Sequence, residues 1–290
     1  YKEGDLGTPN ATWEKAKKFD VGLDMNFLNK FSFTIDYFLD KRYDQLVTRE
    51  YIPLVIGIGF SPNNIARTTN QGFDGQISYQ DRFGDFDFNT NLVFSYAKNR
   101  VDYKAEAQQK YPWLAATGKS LNQPFGYKWI GYYTPEDVAK IRAGASDAPA
   151  APYTDIPVQA GDLKYADLNN DGTIDDYDKS AIGKPNLPST TLGWSFGGYW
   201  RGFSFNVLFQ GSFDYSFAIN GTGIESFKSQ FQPIHTSRWT LERYQNGEEI
   251  GFPRLTTNPS TINSASTYMS DFWLINAWDI RLKTGDLGYE

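Results

Sequence analysis

Residues 167–178 read Asp-Leu-Asn-Asn-Asp-Gly-Thr-Ile-Asp-Asp-Tyr-Asp. The spacing is that of an EF-hand-type calcium loop. Oxygen-bearing side chains at Asp167, Asn169 and Asp171 recur every second residue, so a curled loop turns them toward one hard cation. Gly172 permits the sharp turn, Thr173 offers its backbone carbonyl, and Ile174 anchors the loop by packing. Asp175 ligates directly or through water, and Asp178 closes the shell. Asp178 stands where a longer Glu is usual, which shortens the reach and weakens bidentate closure. The bland alternative is an Asx-rich turn that binds nothing. No pair of helices is evident beside the loop. The expectation is therefore a structural Ca2+ clamp on an exposed loop, not a calcium switch.

Other chemistry is sparse. Glu248-Glu249 and Asp175-Asp176 are adjacent carboxylates, which point apart in a strand and are simply solvated in a loop. His235 is the only histidine, and cysteine is absent. That excludes disulfides and thiolate metal sites, and a single histidine argues against a His-based metal site or triad. No catalytic set is visible, so no enzyme is expected. The aromatics Tyr111, Trp113, Trp129, Tyr132, Tyr133 and Tyr215 fall in long connecting segments. They are candidates for stacking on a sugar ring or a protein partner, against the plainer role of packing the loops together. A net charge of −6 and a pI near 5.0 argue against nucleic acid.

The elements that must position these residues are strands. Phe19, Val21, Leu23, Met25 and Phe27 share one face, and Asp20, Gly22, Asp24 and Asn26 share the other. After a turn at Leu28-Asn29-Lys30, Phe31, Phe33, Ile35, Tyr37 and Leu39 resume the pattern, with Phe38 an exception. Strict alternation over this length is a strand with one apolar face. A second hairpin places Phe73, Ile77 and Tyr79 before a turn at 81–85, then Phe86, Phe88, Leu92, Phe94 and Tyr96. A third runs from Leu192, Trp194, Phe196 and Trp200 through Arg201-Gly202 to Phe203, Phe205, Val207 and Phe209. A final strand pair is suggested by Phe272 to Leu282 and by Asp286 to Tyr289.

The chain has 290 residues, 17% of them aromatic, yet its mean hydropathy is −0.53. No run of about 18 apolar residues exists, so no transmembrane helix is encoded. Spanning β-strands escape that test because alternation averages out as polar. Strands of roughly 9–11 residues match a tilted bilayer crossing. One face is large and apolar, suited to lipid; the other is Gly, Ser, Thr, Asn and Asp, suited to a watery or plugged lumen. Tyr37, Tyr79, Tyr96, Trp194 and Trp200, at strand ends, suit interfacial girdles. Short turns alternate with long segments, roughly 41–70, 98–190 and 212–270, as in outer-membrane barrels. Within 98–190, Thr134-Pro135-Glu136-Asp137 reads as a capped start of a short helix, and 143–157 as an exposed irregular stretch. The fold class expected is all-β: an antiparallel up-and-down transmembrane barrel with long extracellular loops, and 1–290 as part of one such domain.

Several stretches carry a family resemblance. Thr8-Pro9-Asn10-Ala11-Thr12-Trp13-Glu14 running into Lys18 to Asp24 resembles a signature of SusC/RagA proteins, TonB-linked outer-membrane transporters. So do Gly161 to Tyr165 with Asp167 to Gly172, Ile182 to Asn186, Leu208 to Gly211, Phe252 to Leu255, Ser270 to Leu274 and Ile280 to Lys283. They occur in family order from about residue 8 to residue 289. The resemblance implies the later part of a barrel of about 22 strands in a Gram-negative outer membrane. It implies a TonB box, plug and first strands upstream and further strands downstream, so the chain reads as a fragment. No secretory leader opens it at Tyr1. The implied partners are a SusD-like surface lipoprotein, the TonB complex, outer-membrane lipid, and an oligosaccharide or oligopeptide substrate. Two alternatives stay open: a solitary TonB-dependent receptor for a metal chelate, and a secreted calcium-stabilised carbohydrate-binding β domain.

Overall fold

A computed structural model describes residues 8, 10–48, 61–221, 224–225, 231–256 and 261–290. Pro9 of the amino-terminal motif and residues 49–60 of the first long segment lie outside them. Seven long strands form one sheet in the order β1-β2-β3-β4-β9-β10-β11, every neighbour antiparallel. They are β1 (Lys15–Phe27), β2 (Phe31–Val47), β3 (Asn63–Phe83), β4 (Phe86–Tyr103), β9 (Thr190–Trp200), β10 (Phe203–Ala218) and β11 (Leu274–Tyr289). Between β4 and β9 lie four short strands: β5 (Phe125–Gly126), β6 (Trp129–Tyr132), β7 (Leu163–Tyr165) and β8 (Ser180–Ala181). They pair as β5 with β8 and β6 with β7.

The register carries the apolar stripe across the whole sheet. Leu23 opposes Ile35, Phe33 opposes Ile77, Ile77 opposes Leu92, Leu92 opposes Trp194, and Trp194 opposes Phe209. A one-residue slip anywhere would move a strand's apolar set to the wrong side, so the pattern fixes the pairing. The apolar face stays open: Phe19, Phe73, Trp194, Phe203 and Ile280 are all exposed. A soluble sheet does not leave such a surface to water.

Two expectations are corrected. The strands outrun the apolar alternation at one end, so the long connections shrink to 48–62, 104–189 and 219–273. Beyond the apolar band both strand faces meet polar surroundings, so hydrogen bonding continues while the period-two signal fades. The final strand pair is one strand, β11. Its register against β10 jumps from Leu208↔Thr284 to Phe209↔Leu282, leaving Lys283 as a bulge. Phe38, the exception in its strand, lies on the polar face over Gly72. A Cβ on Gly72 would stand 2.7 Å from the Phe38 ring and closer still to the Tyr96 carbonyl oxygen. Glycine there makes room for the aromatic.

The buried core lies not in the sheet but at its long-loop end. Tyr127, Tyr133, Val138, Val158, Leu163, Tyr165, Ile174, Phe252, Ile262, Ala265 and Trp273 pack together. They come from two of the long connections, 104–189 and 219–273. We call this second body the platform. It includes α1 (Pro135–Ala143), whose start has a complete capping box: the Thr134 hydroxyl accepts from the Asp137 amide, and Asp137 accepts from the Thr134 amide. A second short helix, α2 (Leu241–Asn246), is capped by Thr240. The stretch after α1 is irregular, but Ala150 and Ala151 pack against the core.

Candidate functional site

The platform is held by a buried ionic clamp between the two long connections. Asp162 is 0% exposed. Its Oδ1 accepts from Arg254 Nε at 2.6 Å and from Asn263 Nδ2 at 2.8 Å, and its Oδ2 accepts from the Gln159 amide at 2.8 Å. Asn263 in turn accepts from the Leu163 amide at 2.8 Å. Gly161 must be glycine: its φ is +88°, and a Cβ would stand 2.5 Å from the Trp239 ring. Tyr133 donates to the Ala150 carbonyl at 2.6 Å, and Tyr165 to the Ile262 carbonyl at 2.7 Å. Burial pushes both phenols upward, so they remain neutral donors. The rings of Tyr127, Tyr165 and Tyr268 are all in mutual contact. The clamp was not singled out in the sequence as a functional group, although Asp162 and Arg254 stand in two of the quoted signature stretches.

The acidic loop hangs from this core by Ile174, which is 1% exposed. Its side-chain oxygens fold back on its own backbone. Asp167 Oδ1 accepts from the Asp171 amide at 3.3 Å and Oδ2 from the Gly172 amide at 2.8 Å. Asn169 Oδ1 accepts from the Asp171 amide, and Asp171 Oδ1 from the Thr173 amide. Asp175 accepts from the Tyr177 amide at 2.8 Å. Asp178 is buried and ties the two ends of the loop, accepting from the Leu168 and Asp175 amides at 2.8 and 2.9 Å. Burial pushes the Asp178 carboxyl up, against the pull of those amides. Among the described residues no group of three or more His, Cys, Asp or Glu side chains is gathered as a metal site.

The candidate aromatics do not form one site. Trp113 stacks on Tyr111 at 4.6 Å, and its indole donates to the Tyr177 carbonyl at 2.8 Å. Lys110 lies 4.4 Å over the Tyr177 ring. This half-exposed cluster sits directly against the acidic loop. Trp129 and Tyr132 pack edge-on to Phe272 at the margin of the core. Tyr133 is a correction: it is 0% exposed, because its ring fills the core. Tyr215 is another: β10 continues to Ala218, so Tyr215 is a strand residue opposite Ala277. His235 is buried, accepting from the Gln232 amide through Nδ1 and donating through Nε2 to the Ile224 carbonyl. It is a packing residue set edge-on to Phe252.

Residues 1–208 match the sequence profile of the family described as "TonB dependent receptor-like, beta-barrel". The chain belongs to that family. TonB-dependent receptor P3 of Formosa agariphila is 27% identical over 226 residues, covering 72% of this chain and 21% of that protein. TonB-dependent receptor P26 of the same organism is 24% identical over 309 aligned positions, covering 99% and 28%. The chain thus spans well under a third of these relatives. The RagAB peptide importer in its closed-closed state superposes with a TM-score of 0.68 at 18% identity, covering 99% of this chain and 30% of that one. The RagAB peptide transporter gives 0.69, also at 18%, covering 98% and 29%. The fold is therefore that of a RagA-like barrel wall.

Membership settles the placement. TonB-dependent receptor barrels are outer-membrane transport proteins, not enzymes. The continuous apolar face meets lipid and the polar face the lumen. Short turns at 28–30, 84–85 and 201–202 lie at one end of the sheet, and the platform lies at the other.

Proposed function

We propose that this barrel segment serves a TonB-driven importer that works with a SusD-like surface lipoprotein and takes up an oligosaccharide or oligopeptide. The observation that carries the reading is the platform. Two long connections are welded by a common core and a buried Asp162–Arg254 pair into one rigid body at the outer mouth. A lipoprotein lid needs such a preformed surface, since ordering free loops on docking costs affinity. The likeness to RagAB, a peptide importer, supports the same reading and favours peptide as one substrate class. A solitary chelate receptor is the second reading, and it has no use for a docking platform. Purifying the tagged full-length parent from detergent-extracted membranes tests the choice. A stoichiometric lipoprotein in the eluate is the expected result. A barrel recovered alone would overturn it.

Within this reading the acidic loop takes Ca2+ as a structural ion. The donor set is all oxygen, which suits a hard cation. Asp167, Asn169 and Asp171 accept from amides of their own loop, which curls them together, and Gly172 supplies the turn. They would hold the ion together with the Thr173 carbonyl, Asp175 and Asp178. The ion would contribute charge neutralisation and stiffness to a loop carrying four of its own carboxylates in that set. It has no part in chemistry. Calorimetric titration of the metal-stripped full-length protein with Ca2+ and with Mg2+ tests it. Heat for Ca2+ that is lost in Asp167→Asn/Asp171→Asn is expected. Absence of Ca2+ heat in the unaltered protein refutes it.

A further inference from the structure

Two tyrosine rings on the platform form a seat for a cation. Tyr111 and Tyr177 meet edge to face, their centroids 5.8 Å apart and their planes at 76°. The Lys110 ammonium lies over both, 4.4 Å from the Tyr177 centroid and 5.1 Å from that of Tyr111. Both distances fall within the ~6 Å reach of a cation–π attraction. Local structure holds the rings in place. Pro112 opens a single 3-10 turn, Pro112–Leu114, closed by the Leu114 amide on the Tyr111 carbonyl at 3.2 Å. The Trp113 ring then lies flat against Tyr111, at 4.6 Å and 6°. Its indole donates to the Tyr177 carbonyl at 2.8 Å, which ties one tyrosine's segment to the other's. The Tyr177 amide is held in turn by Asp175 at 2.8 Å.

Packing alone does not account for this arrangement. Tyr177 is 40% exposed, and Tyr111 and Trp113 are half-buried, so the rings stay near solvent and fill no core. The surroundings are negative. Asp176, beside Tyr177, is 87% exposed at its side chain and pairs with Lys179 at 2.7 Å. The Lys110 pKa is held above the usual Lys value, first by the Tyr111 side chain and also by the Tyr177 ring and Asp171. Among the described residues Lys110 forms no ion pair. It is itself exposed, on a flexible four-carbon stem whose ordering opposes the attraction. The seat is thus filled by a weak, detachable occupant. A guanidinium is planar, less strongly hydrated and stacks on aromatic faces, so an arginine from outside fits better.

We propose that Tyr111 and Tyr177 form a recognition site for an arginine or lysine side chain of the lipoprotein that docks on the platform. Lys110 is the internal stand-in that the incoming cation displaces. The rings are already fixed by Trp113 and Asp175, so docking orders little protein at this point. Asp171 and Asp176 offset the second positive charge that the partner brings. The occupant is assigned to the lipoprotein because the seat lies on the platform, so that assignment rests on the docking reading above. The site itself rests on its geometry alone.

The test uses the full-length receptor in detergent at one fixed Ca2+ concentration, expressed with and without the lipoprotein. The probes are the capped peptides acetyl-Gly-Arg-Gly-amide and acetyl-Gly-Gln-Gly-amide, and saturation-transfer NMR reads their apparent Kd. Differences between variants isolate this site from any other on the receptor. At the upper end of an exposed cation–π attraction Lys110 masks the seat about fivefold, so Lys110→Ala should bind the arginine peptide about fivefold more tightly. Lys179→Ala removes the same charge outside the seat and should change binding by no more than about twofold. Tyr177→Leu should weaken binding about fivefold, whereas Tyr177→Phe keeps the ring face and should bind as the unaltered protein does. If Tyr177→Leu disturbs the acidic loop, Tyr111→Leu reads the other ring with the same expectation. Bound lipoprotein should block the arginine peptide. An unchanged Kd in Lys110→Ala, an equal gain in Lys179→Ala, or equal binding of the glutamine peptide overturns the site. Undiminished arginine-peptide binding by the complex overturns the assignment to the lipoprotein and points to a cationic cargo. A receptor that never binds a lipoprotein defeats the docking reading, while the peptide titration still decides the site.

Discussion

Asp162→Ala should release the platform while leaving the barrel wall intact. The side chain is wholly buried and Arg254 is 10% exposed at its side chain. The substitution removes three acceptor contacts, to Arg254, Asn263 and the Gln159 amide. It also strands a buried guanidinium whose Nη2 already lacks a partner. Removing one member of a buried pair costs about 3–5 kcal/mol, most of it the price of the orphaned charge. The effect is local, because the clamp joins 159–163 to 254–263 and touches no long strand. A cost of ~4 kcal/mol raises the opening equilibrium about a thousandfold. Amide hydrogen exchange on the folded full-length protein reads this directly. Exchange of Tyr133, Leu163 and Arg254 amides should accelerate by two to three orders of magnitude, a range set by that ~4 kcal/mol. Amides of β3 and β4 should not change. Asp162→Asn keeps one acceptor oxygen, for Arg254 and Asn263, but loses the charge and the acceptor for the Gln159 amide, so it should fall between. Unchanged platform exchange in Asp162→Ala would refute the clamp. Equal acceleration in the strands would refute the separation of platform from wall.

Three further outcomes are expected. Gly72→Val should lower the folded fraction on heat-modifiable gels, because its side chain collides with Phe38 and the Tyr96 carbonyl. Overpacking costs about 1–3 kcal/mol, and Phe38→Ala/Gly72→Val should recover part of it. Ca2+ at about 100 times its Kd should stabilise the platform by ~2.7 kcal/mol. Thermal unfolding with and without chelator reads the shift, and Asp167→Asn/Asp171→Asn should abolish it. Glu106 gives a pH dependence. Burial opposes its charge, but bonds from the Thr117 side chain and the Ala116 and Thr117 amides, aided by Lys104, outweigh it and hold the carboxyl below its usual 4.5. A depressed folded value stabilises above 4.5 and is lost as pH falls through it. Exchange protection at Ala116 and Thr117, corrected for intrinsic rates, should hold from neutral pH down to about 5 and fall below 4.5, about where an ordinary Glu titrates. In Glu106→Gln the acid-dependent fall should disappear.

The wall was legible in the sequence because period two needs no long-range information. Phe19 to Phe27 and Phe86 to Tyr96 announce their faces residue by residue. The upper strand segments were not legible. Thr69, Lys98 and Arg100 have no apolar face to mark them, although their backbones pair as regularly as those below. Tyr215 was misplaced for the same reason: the bulge between Ser212 and Tyr215 breaks the alternation. The capped start of α1 was legible because Thr134, Pro135 and Asp137 act over one turn. The platform core was not, since Leu163 and Asn263 meet across 100 residues of chain. No spacing rule links them. The burial of Tyr133 could not be read either, for a tyrosine in a loop looks the same whether its ring points in or out.

The signature stretches acquire a physical meaning from that core. Gly161 to Tyr165 supplies the clamp aspartate and two core side chains. Phe252 to Leu255 supplies the partnering arginine and the Phe252 ring, and the Arg254 amide donates to the Gly161 carbonyl at 2.9 Å. Ser270 to Leu274 supplies Trp273, and its Asp271 accepts from the Trp129 amide at 2.7 Å. These stretches are scattered over more than 100 residues of sequence and converge in one body. The wall strands between them alternate with little demand on identity, because lipid asks only for apolar atoms and the lumen only for polar ones. A buried charge pair asks for one residue on each side. Motif-like stretches therefore gather where the chain must build a packed interior, and in this protein that interior is outside the barrel. A substitution in the wall should shift assembly by degrees, whereas one at Asp162 or Arg254 should detach the platform as a unit. Arg254→Met tests the distinction on the opposite partner. It removes the charge and keeps the apolar stem, but strands the buried carboxylate of Asp162, so its exchange profile should match that of Asp162→Ala at the Leu163 amide. A profile confined to residues beside 254 would show two loops merely in contact.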